Sequence, residues 1–282
     1  MGLDNCYTLN DGNEIPIIGF GTWQMPNDDH TAEIVEYAIK NGYRHIDTAA
    51  AYKNEESVGK GIRNSGVSRE DIFVTTKLGN EAHSYDLAKK AIDDSLERLG
   101  LDYIDLYLIH WPNPLKFRDH WQEANAETWC AMEEAQAEGK IKSLGVSNFM
   151  TRHLDELMKT AKVVPAVNQI LLNPSEMQPE TVAINNEHKI LSEAYSPLGT
   201  GKIFEIEELN KIAEKYGKTP AQIVLRWSLQ HGFLPLPKTS TFERVKENAD
   251  IFDFELTSED MDKIDQFKGK AGRMENPDGK PW

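Results

Sequence analysis

Short apolar runs alternate along the 282-residue chain with longer stretches in which apolar residues recur every three or four positions. The first pattern is typical of buried β-strands and the second of amphipathic helices. The apolar runs predict eight strands, at residues 17–21, 44–48, 72–77, 104–110, 143–147, 166–169, 190–194 and 234–238. The clearest helical stretches are residues 31–40, 86–99, 126–138 and 219–230. This alternation indicates an α/β protein built from βαβ units around a parallel sheet.

Eight units of this kind are typical of a (β/α)8 TIM barrel, which often reaches this length as one domain. We therefore expect residues 1–282 to form a single barrel domain. The turn signal NDGN at residues 10–13 predicts a β-hairpin that plugs the N-terminal end of the barrel. After the eighth unit, residues 258–267 predict a further helix capped by Ser258, and the tail 269–282 predicts a C-terminal surface loop.

Composition and charge narrow the classes of function. Hydrophobic residues make up 39% of the chain and charged residues 27%, which is ordinary for a globular protein. The net charge of −15 would repel nucleic acids and anionic membranes, so we expect neither as a partner. Cys6 and Cys130 are too few for a disulfide framework, and the sequence shows no signal peptide and no apolar stretch of about 20 residues. These features predict a cytoplasmic protein.

The predicted strands end in polar side chains. In a barrel of this kind the chemistry lies at the C-terminal ends of the strands, where residues distant in sequence come together. Strands two to eight end at, or are followed by, Asp47, Lys77, His110, Asn148, Gln169, Tyr195 and Lys238. Chance placement of seven such residues is improbable, so these positions predict the functional site.

Several segments carry a specific resemblance to a known family. They read GYRHIDTAAAYKNE at residues 42–55, TTKL at 75–78, DLYLIHWP at 105–112, GVSNF at 145–149, VNQ at 167–169 and SPLG at 196–199. In these segments, and almost end to end, the chain resembles the aldo-keto reductases, most strongly the short-looped microbial members that reduce 2,5-diketogluconate or methylglyoxal. The resemblance implies an oxidoreductase that uses NADPH to reduce carbonyl compounds to alcohols.

By this resemblance the catalytic tetrad falls on Asp47, Tyr52, Lys77 and His110. The chemistry of the side chains leads to the same roles, because carbonyl reduction needs a proton donor and a phenol can serve if its pKa falls towards neutrality. Lys77 would lower the pKa of Tyr52, and Asp47 would keep Lys77 charged. His110 would orient the carbonyl oxygen. Singly, these residues have structural alternatives, namely a buried ion pair, a helix cap and a core histidine.

The cofactor site is predicted after strand eight, in the segment PKTSTFERVKEN at residues 237–248. The chain has neither a GxGxxG fingerprint in a βαβ context nor a Walker A motif, which disfavours a Rossmann domain and ATP chemistry. Lys238 and Arg244 supply positive charge, Thr239 a hydroxyl group and the following helix free amides, which suits a 2′-phosphate and favours NADPH over NADH. The alternative is that both cations belong to a solvated helix start.

The resemblance implies the remaining contacts to NADPH or NADP+. It places Ser147, Asn148 and Gln169 at the nicotinamide carboxamide, Tyr195 on the nicotinamide ring, and Glu247 and Asn248 at the adenine. The glycines of SPLGTGK, residues 196–202, let the backbone approach a pyrophosphate. The full predicted set of cofactor-binding residues is Thr22, Trp23, Asp47, Ser147, Asn148, Gln169, Tyr195, Ser196, Leu198, Gly199, Lys238, Thr239, Ser240, Arg244, Glu247 and Asn248.

The substrate pocket is predicted around the carbonyl, walled by Trp23 and Trp111 beside Tyr52 and His110. Two variable segments should close it, residues 112–122, with Phe117, His120 and Trp121, and the end of the tail, residues 280–282. The segment ILLNP at residues 170–174 departs from the family's acidic-aromatic-His-Pro pattern. The scattered histidines show no metal-ligand spacing, so we expect no metal. Small dicarbonyls, aldehydes and keto-sugars all remain possible substrates.

Two other classes of function stay open at this point. Barrels of this family also serve as cofactor-binding regulatory or redox-sensing subunits, an alternative that the intact tetrad and the lack of an obvious partner-binding extension disfavour. A barrel hydrolase based on Asp47 would leave Lys77, Lys238 and Arg244 without a role. The resemblance implies a monomer, since most members of the family of this size are monomers, and the sequence contains no long exposed coiled-coil heptad, so we expect no obligate protein partner.

Overall fold

The computed structural model describes residues 2–271 and 276–280, and it contains a closed barrel of eight parallel strands. An antiparallel hairpin of β1 (Cys6–Thr8) and β2 (Glu14–Pro16) precedes the barrel. The barrel strands are β3 (Phe20–Gly21), β4 (His45–Asp47), β5 (Phe73–Leu78), β6 (Ile104–Ile109), β7 (Ile141–Ser147), β8 (Val167–Leu171), β9 (Leu191–Tyr195) and β10 (Leu234–Leu236). They lie in chain order, and a parallel bridge between Gly21 and Lys238 closes the ring. All eight predicted strands and the predicted barrel are confirmed.

Helices surround the barrel, as the 3.6-residue periodicity predicts. They are α1 (Asp29–Lys40), α2 (Glu55–Asn64), α3 (Tyr85–Leu99), α4 (Trp121–Ala137), α5 (Thr151–Leu157), α6 (Pro179–Glu187), α7 (Glu207–Tyr216), α8 (Pro220–Gln230), α9 (Phe242–Ala249) and α10 (Ser258–Asp265). In the described residues, no helix combines the length and the apolarity needed to cross a membrane.

The start of α4 and the cap of α10 differ from the predictions. Helix α4 begins at Trp121, five residues before the predicted start, so the end of the predicted loop 112–122 is helical. The cap of α10 is Thr257 rather than Ser258, because the Thr257 side chain accepts a hydrogen bond from the backbone N–H of Asp260. Both errors arise from polar residues at the helix start, where periodicity gives no sharp signal.

The predicted hairpin plug is confirmed by the packing inside the barrel. Leu9 and Ile15 of the hairpin region are buried in one apolar cluster with inward-facing residues of the strands, including Phe73, Leu106 and Leu234. A separate, larger cluster fills the layer between the strands and the outer helices. The N-terminal half of the barrel is therefore an apolar core, and the polar inward-facing residues lie towards its C-terminal end.

Candidate active site

Four polar side chains meet at the C-terminal end of the barrel. Asp47 ends β4, Lys77 lies near the end of β5, and His110 follows β6 directly. Tyr52 ends a short 3₁₀ turn, Ala50–Tyr52, that follows β4. Because neighbouring parallel strands end at the same edge, residues far apart in sequence become neighbours here. The structure brings together all four members of the predicted tetrad.

Lys77 is the centre of this group. Its Nζ atom donates hydrogen bonds to Asp47 Oδ1 at 2.7 Å and to the Thr48 carbonyl oxygen at 2.8 Å, and it lies 3.4 Å from the Tyr52 hydroxyl. The side chain is fully buried. Burial, the largest influence, lowers the pKa of Lys77, but Asp47 and Tyr52 together raise it above its ordinary value. Lys77 is therefore a buried, charged ammonium group held by one carboxylate.

The pKa of Tyr52 differs from the sequence-based expectation. Burial raises the pKa of Tyr52 above 10, and the charge of Lys77 opposes this effect without reversing it, while Asp47 and Glu193 add to it. The phenol thus keeps its proton at neutral pH. The Lys77 ammonium makes the pKa of Tyr52 lower than it would be in the same buried site without Lys77, but it does not bring that pKa below the ordinary value.

His110 lies beside Tyr52, with ring centroids 5.8 Å apart in an edge-to-face arrangement. Burial, followed by the charges of Lys77 and His83, lowers the pKa of His110 to about 3. The imidazole is therefore neutral at physiological pH and can donate or accept a hydrogen bond, but it holds no spare proton to give away.

The residues predicted to meet the nicotinamide form a hydrogen-bonded group next to the tetrad. The Ser147 hydroxyl donates to the Gln169 carbonyl oxygen at 2.8 Å, and Asn148 Nδ2 donates to the His110 carbonyl oxygen at 3.0 Å. The Tyr195 hydroxyl donates to Asn148 Oδ1 at 2.8 Å. Asn148 has a φ of 63°, a left-handed conformation that Asn tolerates better than most residues. The turn after β7 thus points its amide side chain across the barrel mouth.

The loop after β3 is held in place by a residue that the sequence did not single out. Asn54 is buried, and its Nδ2 atom donates to the carbonyl oxygens of Thr22 at 2.9 Å and Met25 at 3.0 Å. The Thr22 hydroxyl donates to the Asp47 carbonyl oxygen at 2.9 Å. Trp23, between these anchors, is 45% exposed. The predicted pocket wall therefore presents its indole ring on a fixed backbone.

The loop after β9 contains several unusual backbone conformations. Ser196, Gly199, Thr200 and Gly201 all have positive φ, which folds the segment that includes Leu198 into a tight irregular turn. Asn173, from the segment that departs from the family pattern, lies next to it, with its Nδ2 atom 3.4 Å from the Ser196 carbonyl oxygen. The segment 170–174, which departs from the family pattern, therefore contacts the loop that is predicted to lie against the pyrophosphate.

Both predicted phosphate-binding cations follow β10. Lys238 and Arg244 are exposed, and within the described part of the chain neither has an ion pair with a carboxylate. Thr239 is buried, and its hydroxyl accepts a hydrogen bond from the backbone N–H of Thr241, while Ser240 is exposed.

Of the predicted adenine contacts, Glu247 accepts a hydrogen bond from the Thr219 hydroxyl at 2.8 Å, and Asn248 is buried. The structure thus places Glu247 against the start of α8 and leaves little of Asn248 exposed.

The rim of the substrate pocket differs in part from the predicted arrangement. Phe117 is buried and stacks on His83, and Trp121 packs edge-on against His153. These two aromatic rings therefore pack against the loop after β5 and against α5. The predicted lid residue Lys280 lies with its Nζ atom 5.8 Å from the centre of the Trp111 ring.

The contacts that hold the described part of the C-terminal tail include the Asp278 carboxylate and the Lys280 carbonyl oxygen, which accepts a hydrogen bond from Arg118. Asp278 accepts hydrogen bonds from Asn113 and from the neutral His153 ring, and it forms an ion pair with Arg152. This clamp ties the tail to the segment after β6 and to α5. Pro281 and Trp282, the rest of the predicted lid, lie outside the described residues. No group of three or more His, Cys, Asp or Glu side chains in the described ranges could hold a metal ion.

The sequence and the fold both match known proteins. Residues 17–268 match the model of a family described as the aldo/keto reductase family. The chain is 48% identical over 276 residues to the glyoxal reductase of Bacillus subtilis, which covers 98% of this chain and 97% of the relative. It is 47% identical over 280 residues to the methylglyoxal reductase DkgA of Escherichia coli K12, with 99% and 98% covered.

Among solved structures, a variant of Gox0644 in complex with NADPH superposes with a TM-score of 0.91. It is 42% identical to this chain, and the match covers 99% of both chains.

Proposed function

Because the chain belongs to the aldo/keto reductase family, we propose that it reduces the carbonyl group of small dicarbonyl compounds to an alcohol, with NADPH as the coenzyme and Tyr52 as the proton donor. The observation that carries the proposal is the buried Asp47–Lys77 pair with the Tyr52 hydroxyl 3.4 Å from its ammonium group. When bound, NADPH supplies the hydride that the carbonyl carbon accepts. The roles of this chain's own residues follow from their geometry.

Tyr52 suits the role of general acid. Its raised pKa means that the phenol is protonated at neutral pH, so the proton is available when the carbonyl oxygen becomes basic. After donation, the phenolate lies next to the Lys77 ammonium, which stabilises the new negative charge in a site with little water. Neutral His110, whose ring lies 5.8 Å from that of Tyr52, would direct a hydrogen bond to the same oxygen and hold it near the phenol.

The residues present fit NADPH chemically. Lys238 and Arg244 are exposed cations on a protein of net charge −15, next to the backbone amides at the start of α9. A 2′-phosphate is the kind of dianion that such a group binds through charge-assisted hydrogen bonds. Ser147, Asn148 and Gln169 would hold the nicotinamide carboxamide, since their amide and hydroxyl groups lie beside the tetrad. Tyr195 would lie against the ring.

The substrate class rests on the pocket rim and on the relatives. The names of the two similar bacterial proteins describe them as glyoxal and methylglyoxal reductases. In this chain Trp23 lies on the loop after β3, Trp111 follows His110 after β6, and the Nζ atom of Lys280 lies 5.8 Å from the centre of the Trp111 ring. An apolar wall with polar groups at its base suits a small molecule with two adjacent carbonyl groups.

The direct test is NADPH oxidation, followed by absorbance near pH 7, with a panel of aldehydes, dicarbonyls and keto-sugars. We expect turnover with small dicarbonyls and higher kcat/KM for these than for simple aldehydes. Tight NADPH binding without reduction of any carbonyl would contradict the proposal and favour a cofactor-binding regulatory protein instead.

A second prediction concerns the choice of coenzyme. Replacing both cations, Lys238→Ala with Arg244→Ala, is expected to raise KM for NADPH by about ten- to a hundredfold, because each removes a charge-assisted hydrogen bond to the 2′-phosphate. KM for NADH, which has no such phosphate, should change by less than about twofold. Lys246→Ala is the matched control, since Lys246 lies on the same helix but over the Tyr37 ring. Equal loss with both coenzymes would contradict this assignment.

A further inference from the structure

Beneath the tetrad lies a buried carboxyl group that is not part of the family motifs. Glu193, in the middle of β9, is fully buried. Its Oε2 atom accepts a hydrogen bond from Gln169 Nε2 at 2.7 Å, and the same Nε2 donates to Asp47 Oδ1 at 2.8 Å. One amide group therefore joins Glu193 to the carboxylate that pairs with Lys77.

The other oxygen of Glu193 has no hydrogen-bond partner among the described residues. The titratable groups facing it come from β4 and β5. His45 Nε2 lies 3.7 Å from Glu193 Oε1, and burial lowers the pKa of His45 to about 3, so this ring is uncharged. Lys77 is already paired with Asp47. An ionised Glu193 would therefore lie inside the barrel without a cation of its own.

The neighbouring strands add no further charge. In the sheet Glu193 pairs with Gln169 on β8 and with Leu234 on β10, and neither side chain is ionisable. Burial, followed by the charge of Asp47, raises the pKa of Glu193 to about 8, although the hydrogen bond from Gln169 and the charge of Lys77 lower it. A buried carboxyl next to another carboxylate favours its protonated form.

We infer that Glu193 is a positioning residue that remains a neutral carboxylic acid during turnover and keeps Asp47 as the single negative charge beside Lys77 and Tyr52. The two carboxyl groups together take both amide hydrogens of Gln169, which leaves its amide oxygen for the coenzyme side. If Glu193 ionises, the second negative charge raises the pKa of Tyr52 and weakens it as a proton donor. The inference deepens the proposed function and rests on it.

The protonation state can be tested without coenzyme or substrate, by measuring the melting temperature of wild type and E193Q from about pH 5 to 9. Since an unfolded Glu ionises near its ordinary pKa of about 4.3 and the folded Glu193 does not, wild type loses stability as the pH rises towards 8, a loss that E193Q lacks. The melting temperature of E193Q relative to wild type should therefore increase up to about pH 8 and then stay constant. A difference that does not change with pH would overturn the inference.

The positioning role is tested by the pH dependence of kcat/KM for the best carbonyl substrate. In E193Q the alkaline limb is expected to move upwards by about one pH unit or more, with the acid limb unchanged. E55Q is the matched control, because Glu55 is also buried but binds Thr76 and Arg98 outside the barrel interior. Superimposable profiles of wild type and E193Q would overturn the positioning role.

Two further outcomes keep the tests separate. A chain that reduces no carbonyl overturns the proposed function and with it the positioning role, whereas the melting series still decides the protonation state of Glu193. If E193Q does not fold, infrared spectra of the wild type decide the protonation state of Glu193. A carbonyl-stretch band of a protonated carboxyl group should be present at about pH 6.5 and lost at about pH 9.5, and its absence at the lower pH overturns the inference.

Discussion

Tyr52→Phe is expected to lower kcat for carbonyl reduction by about a hundredfold to ten-thousandfold, the usual contribution of a positioned general acid. The substitution removes only the hydroxyl group and its 3.4 Å contact with Lys77, and the ring keeps its edge-to-face contact with His110. NADPH affinity, measured by tryptophan fluorescence, should change by less than about threefold, because the phenol acts on the reacting oxygen and not on the bound coenzyme.

Tyr43→Phe is the matched control for this experiment. Tyr43 is also buried, and its hydroxyl donates to the Val245 carbonyl oxygen, away from the barrel mouth. Its kcat should stay at the wild-type level. Retention of more than about a tenth of wild-type kcat by Tyr52→Phe would show that another group supplies the proton, contrary to the proposed mechanism.

Lys77→Met is expected to lower the free energy of unfolding by about 3–5 kcal/mol, because it leaves the Asp47 carboxylate buried without its cation. Turnover should fall by at least about a hundredfold as well, since nothing then stabilises the Tyr52 phenolate. Urea unfolding at pH 7 without coenzyme measures the first effect and NADPH oxidation the second.

A double variant separates the two roles of this ion pair. Asp47→Leu combined with Lys77→Met removes both charges, so most of the lost stability should return while the enzyme remains inactive. Lys60→Met is the control, because the Lys60–Asp29 pair is exposed and its loss should hardly change unfolding. Recovery of activity in the double variant would contradict the electrostatic role of Lys77.

The strands and the residues at their ends could be predicted from local sequence for a clear physical reason. Parallel strands of a barrel are buried, so they appear as short apolar runs, and each run ends where the chain becomes polar. Asp47, Lys77 and His110 lie at such ends, and the structure brings them to one edge. Helix starts were harder to predict, as Trp121 and Thr257 show, because the polar residues at a helix start give little sign of the helical periodicity.

The direction of the Tyr52 pKa could not be predicted from the sequence. The pairing with Lys77 suggested a lowered value, but the balance depends on how completely the phenol is buried. Desolvation grows with burial, and burial is a property of all the surrounding segments together. The same reason explains Glu193, which in the sequence is one acidic residue among 46 and becomes distinctive only when Gln169 and Asp47 lie within hydrogen-bond reach.

The pocket rim also depended on tertiary contacts. Phe117 and Trp121 are aromatic residues of the kind expected in a lid, yet they pack on His83 and His153. Asp278 ties the tail to the segment after β6. Local periodicity and residue type were enough to predict the barrel, the positions of the strand ends and the side chains available there. Which charges are paired, which groups keep their protons and which aromatic rings face the pocket depend on distances between segments that are remote in the chain, so these features became visible only in the folded structure.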